Sequence, residues 1–91
     1  MCRSIRPLFN LDPPVTDEEI RAAALQFVRK VSGCNTPSKT NEAAFYAAVE
    51  EIAGAARKLL GALATQAPPK DRAEAAAKAR ARAARRFPPS T

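Results

Sequence analysis

Few side chains in this sequence are able to do chemistry, and their types set limits at once. There is no histidine, so imidazole acid–base catalysis is excluded. Two cysteines, Cys2 and Cys34, are too few for a four-ligand zinc site unless carboxylates complete it, a rare donor set. No metal and no cofactor is expected on these grounds. Cys2 holds the most reactive position. Removal of Met1, which a small second residue permits, would leave its thiol beside a free α-amine, with Arg3 and Arg6 near enough in sequence to favour the thiolate. Such a pair attacks electrophiles or ligates a metal, yet no base, orienting residue or oxyanion donor can be assigned around it. The plainer reading is a small apolar side chain that anchors the N-terminus. Cys34 directly follows Gly33, where an apolar residue packs back onto the last turn of a helix, so a hydrophobic contact is expected of it. A reducing cytosol disfavours a bond between the two thiols. With no catalytic constellation, the sequence reads as that of a non-enzymatic protein.

Charge is the second chemical resource, and it is unevenly placed. The chain of 91 residues has a formal net charge of +6, of which residues 70–86 hold +5. Lys78, Arg82 and Arg85 share one helical face at i, i+4 and i+7, flanked by Arg86, while Arg80 points away. Three or four phosphate contacts from these residues would give weak, salt-sensitive binding to nucleic acid without sequence preference. An acidic protein surface is the other partner such a helix suits. Asn and Gln are absent there, and the only aromatic is Phe87, so neither base readout nor a stacking platform is present. Glu74, one turn before Lys78, partly compensates the face, and a solvated basic face is the plainer reading.

The elements that must position these groups are helices. Residues 1–15, with Pro7, Pro13 and Pro14, read as an extended arm laid on the body by its apolar side chains. Thr16 and Glu19 form a capping box, and Val15 with Ile20 a hydrophobic staple, so a helix begins at Asp17 and ends at Gly33. Asp17 is placed to pair with Arg21 one turn on. Ile20, Ala24, Phe27 and Val31 make its buried stripe. A second, longer helix starts near Ser38 or Asn41 and runs to about Ala64. Its apolar seam is Phe45, Val49, Ile52, Ala56, Leu59 and Leu63. That helix spans roughly 39 Å against roughly 24 Å for the first, so the arm, the third helix or a second copy must cover the remainder. Residues 65–69 are a linker, and residues 70–91 a basic helix and tail closed by Phe87 and Pro88.

Two patterns qualify the hairpin. Its glycine turn resembles a helix-turn-helix, but the second helix is long and carries Glu42, Glu50 and Glu51 in its N-terminal half, which would repel phosphates; a simple helical hairpin is expected. Opposite its seam, Ala47, Gly54 and Gly61 recur every seven residues and would admit another helix, either the third helix or that of a second copy. Tolerated glycines on a thin solvated face explain them equally well.

Met1-Cys2-Arg3 with Ile5, Leu8 and Asn10, then Pro13-Pro14, Thr16, Glu18-Glu19-Ile20, Val28-Arg29-Lys30, Ser32-Gly33, Pro37-Ser38, Asn41, Phe45 and Ala67-Pro68-Pro69-Lys70-Asp71-Arg72 together resemble a bacterial family. It is known as domain of unknown function 2277. The resemblance covers most of the chain and implies a bacterial cytosolic protein; it carries no activity over.

The expectation is therefore one small all-α domain over residues 1–91: an arm (1–15), a helical hairpin of one medium and one long helix (16–64), a linker, and an Ala/Arg-rich C-terminal helix. No run of about 18 apolar residues could span a bilayer, and the N-terminus lacks a secretory signal's apolar stretch, so a cytoplasmic chain without membrane insertion is expected. The leading function is binding or assembly through the long helix, as a homodimer. Nucleic-acid binding by the last helix and thiol chemistry at Cys2 are the alternatives.

Overall fold

The computed structural model describes residues 5–86 and contains three helices: α1 (Asp17–Ser32), α2 (Glu42–Ala62) and α3 (Arg72–Arg86). Two short strands, β1 (Leu11–Asp12) and β2 (Lys70–Asp71), pair in parallel, Leu11 opposite Lys70 and Asp12 opposite Asp71. The chain is all-α apart from that clasp. Cys2, Phe87 and Pro88 lie outside the described residues, as does the side chain of Arg86.

α1 starts as its sequence dictates. The Thr16 hydroxyl accepts the Glu19 N–H at 3.2 Å, and the Glu19 carboxylate accepts the Thr16 N–H at 2.9 Å, which closes the capping box. Val15 packs against the core cluster that contains Ile20. At the other end Gly33 adopts φ 76° and donates its N–H to the Arg29 carbonyl. A left-handed residue there lets the chain leave the helix without a Cβ clash. α2 is shorter than the sequence suggests. It begins after Asn41, whose side chain makes no capping bond, and a turn closed by the Asn41 N–H on the Ser38 carbonyl precedes it.

The core lies where α1 meets α2. Its buried residues are Ile20, Ala24 and Val28 on α1 and Phe45, Val49 and Ala53 on α2. This corrects the expected stripes. Phe27 and Val31 are 48% and 69% exposed, and at the far end of the seam Leu59 and Leu63 are 57% and 45% exposed. Both buried triplets step by four residues, and Ile52, Ala56 and Leu60 of α2 are partly buried against the same cluster. The alternating spacing of 4 and 3 describes a shallow supercoil in which a seam stays covered along its length. Here the ends of the expected seam are left in solvent. The arm covers part of the remainder, with Leu8 and Val15 packed near Ala56 and Leu60.

Polar contacts between the helices differ from expectation too. Asp17 does not pair with Arg21 within α1. It accepts from Arg57 Nε at 2.8 Å, while Arg21 Nε reaches Glu50 at 2.6 Å, so both pairs cross the hairpin. The antiparallel arrangement brings the acidic start of α1 beside Arg57 in the C-terminal half of α2, and the cross-hairpin partner displaces the local one.

The third helix begins later than residue 70. Lys70 and Asp71 belong to β2, and the Asp71 carboxylate caps α3 by accepting the Glu74 N–H at 3.0 Å. Asn10, in the left-handed region at φ 57°, holds this junction: its side-chain amide donates to the carbonyls of Ala67 and Pro68, both at 3.2 Å, and its own carbonyl accepts the Lys70 N–H at 2.8 Å. The neighbouring Asp12–Pro13 peptide is cis. Beyond Ala75 the described side chains of α3 are exposed, so the helix projects from the body. The result is a flat molecule, 52 × 42 × 16 Å along its principal axes.

Candidate functional site

Three surfaces meet the requirements of a site: the side of the hairpin away from its ion pairs, the clasp between the arm and α3, and the projecting part of α3.

On the first, Phe27 and Val31 of α1 stand beside Ala44, Ala48 and Ile52 of α2 around an open groove of about 460 Å³. Cys34 and Pro37 close its turn end, and among the described residues none that lines it is charged. A smaller groove continues from Phe27 and Ile52 to Ile5, Ala23 and Ala56, again with no charge among the described residues that line it. The helical repeat places Asp17, Arg21, Glu50 and Arg57 on the opposite side of the hairpin. The hairpin is thus two-sided, with ion pairs on one broad face and exposed apolar side chains on the other. Cys34 is a free thiol, half-buried against the core, and its Sγ lies 3.9 Å from the Ser32 carbonyl oxygen; it serves as the hydrophobic contact that its position after Gly33 implies.

At the clasp, Glu19 does more than cap α1. Arg72 donates to it through both terminal nitrogens, at 2.7 and 3.0 Å, and Arg6 adds a third bond at 3.0 Å. The Arg72 guanidinium, and next the Thr16 N–H, lower the pKa of Glu19 to about 2 from its ordinary 4.5. Arg72 Nε has no acceptor among the described residues. This node has no direct signature in the sequence. Arg6, Glu19 and Arg72 are far apart in the chain, and Glu19 already had a sufficient local explanation. The one available signal was the Pro-Pro-Lys-Asp-Arg segment before α3, whose Asp71 is a good helix cap.

The basic residues singled out in the sequence lie on the third surface. Lys78 pairs with Glu74 at 3.5 Å, as their spacing predicts, and Arg80, Arg82 and Arg85 are exposed. The alanines Ala73, Ala77, Ala81 and Ala84 are exposed as well, so no helix of the same chain lies against them. Ala47, Gly54 and Gly61 are not brought against α3: a Cβ added at either glycine would meet no atom within 4 Å. The structure gathers none of these residues around Cys34. Among the described residues no group of three metal-ligating side chains occurs, and no helix is long and apolar enough to cross a membrane.

A family model described as "Uncharacterized conserved protein (DUF2277)" matches residues 1–78. The chain belongs to the DUF2277 family. The matched DUF2277 region takes in the arm, the hairpin, the Arg6–Glu19–Arg72 node and the first two turns of α3. Arg80, Arg82, Arg85 and Arg86 fall beyond it. No curated protein and no solved structure matches the chain.

Proposed function

We propose that this protein is a non-enzymatic assembly module that forms a homodimer through the long helix α2 and the adjoining side of α1. The observation that carries this reading is the uncharged apolar face around Phe27 and Ile52 on a molecule one helix layer thick. Stable domains bury their apolar faces between at least two layers. Here the radius of gyration is 16.7 Å, against about 12 Å for a compact chain of this length. Two hairpins placed face to face by a two-fold axis supply the missing layer and give a four-helix arrangement. None of the described residues that line the face is charged, so two copies that are each strongly basic meet there without opposing like charges.

Light scattering and sedimentation over a wide concentration range test it. A mass that rises toward twice 9.7 kDa is expected, with Phe27→Glu holding the chain at monomer mass and helicity unchanged. A clean monomer at every concentration overturns the proposal. Gly54→Leu separates the two sides of α2: it leaves the dimer intact if the Phe27 face is the interface and breaks it if the Ala47, Gly54 and Gly61 stripe is.

The projection of α3 favours a second reading, weak binding of nucleic acid by Lys78, Arg82, Arg85 and Arg86. It predicts an affinity falling with salt at a slope of about −3 on logarithmic axes, and lost on deletion of residues 79–91. Insensitivity to either change removes it.

A further inference from the structure

We propose that the two copies stack antiparallel, α2 lying along α2, so that Leu59 and Leu63 of each copy enter the groove beside Phe27 of the other. This rests on the dimer reading above and assigns the orientation and register of that interface. The apolar side of the hairpin is hollow at one end and raised at the other. At the turn end Ala44 and Ala48 floor the groove of about 460 Å³ bounded by Phe27 and Val31. At the linker end α2 presents Leu59 and Leu63, both exposed, and the arm adds Ile5 and Leu8 near Ala56. The helical repeat keeps Ala44, Ala48, Ile52, Ala55, Leu59 and Leu63 within about 100° on one side of α2. The two alanines that floor the groove and the two leucines are each four residues apart, so setting Leu59 opposite Ala48 also sets Leu63 opposite Ala44 and brings Ile52 opposite Ala55. Large side chains then meet small ones, the alternation by which facing layers reach native packing density.

A two-fold axis that stacks two hairpins runs either along the helices or across them. An axis along them keeps every residue at its own level, so hollow meets hollow and the leucines find no groove. An axis across them reverses the levels, and the raised end of each copy meets the hollow end of the other. Charge favours the same choice. Glu51 and Lys58, seven residues apart, stand on the outer flank of α2 beside its apolar side, and both are exposed. Neither has an ion-pair partner among the described residues. An axis across the helices brings like flanks together, so Glu51 of each copy faces Lys58 of the other and the pair forms twice. With Leu59 opposite Ala48 their levels differ by about 3 Å along the helix, within reach of a lysine side chain.

The test is an isotope-filtered nuclear Overhauser experiment on dimers mixed from labelled and unlabelled full chain. Contacts between the Ala48 methyl of one copy and the Leu59 methyls of the other are expected; within one chain the two residues lie about 16 Å apart along α2 and give no signal. Leu59→Ala, a change at an exposed side chain, is expected to raise the dimer dissociation constant at least about tenfold with helicity unchanged. Lys58→Glu is expected to raise it about fivefold at low salt, although it lowers the net charge of each copy, and adding Glu51→Lys to it restores the dimer. A dimer with Phe27 contacts across copies but none between Ala48 and Leu59, or one that Leu59→Ala leaves as tight as before, overturns this register and leaves the dimer reading standing. A monomer at every concentration overturns both.

Discussion

Arg72 and Glu19, 53 residues apart, meet through two hydrogen bonds of 2.7 and 3.0 Å, and this pair fastens α3 to the start of α1. The same carboxylate accepts the Thr16 N–H, so one side chain both starts a helix and receives another. That double use makes the attachment of α3 sensitive to pH. Glu19 titrates at about 2 in the folded chain and ordinarily at 4.5, so folding favours its charged form. Its contribution is complete above about pH 4.5 and is lost as pH falls through about 2. The protection factors of the α3 amides, which allow for the slowing of intrinsic exchange in acid, are expected to fall across that window before that of Val49. A flat profile from pH 5 to 2 would refute it.

Glu19→Gln separates the two roles. Glutamine retains the capping geometry, since the amide oxygen still accepts the Thr16 N–H. It removes the charge that holds Arg72. We expect the exchange protection of the first turn of α1 to change little and that of residues 72–76 to fall severalfold. Equal losses at both places would mean that the ion pair does not fasten α3.

Val49 is fully buried, and it is the largest such side chain among the described residues. Val49→Ala removes two methyl groups from the crossing of the two helices and should cost about 2 kcal/mol in denaturant unfolding. Thr16→Ala should cost about 1 kcal/mol through loss of the cap alone. The two sites share no partner, and the double variant should lose close to the total of the two.

The three glycines divide by conformation. Gly33→Ala forces a Cβ into φ 76° and should destabilise by about 1 kcal/mol. Gly54→Ala and Gly61→Ala place a methyl group in open space on a helix, and each should stabilise by about 0.5–1 kcal/mol. Thermal unfolding of the three variants reads the sign directly. A loss at Gly54 or Gly61 would show that the stripe is covered in solution.

What the sequence determined by itself is local. Thr16, Glu19 and Gly33 fixed the ends of α1 because caps act within a few residues of chain, and the Glu74–Lys78 pair followed from its spacing for the same reason. The apolar periodicity marked Ile20, Ala24, Phe45 and Val49 of the buried core, and the linker prolines marked the break before the last helix. Tertiary structure decided everything that depends on how two distant segments cross. It buried Val28 and Ala53 and left Phe27 and Leu59 in solvent. It drew Asp17 away from Arg21 to Arg57, and it brought Arg6, Glu19, Lys70 and Arg72 to one clasp. A one-dimensional pattern carries the period of a helix but not the angle at which it meets a neighbour, and that angle sets which apolar and charged side chains find partners.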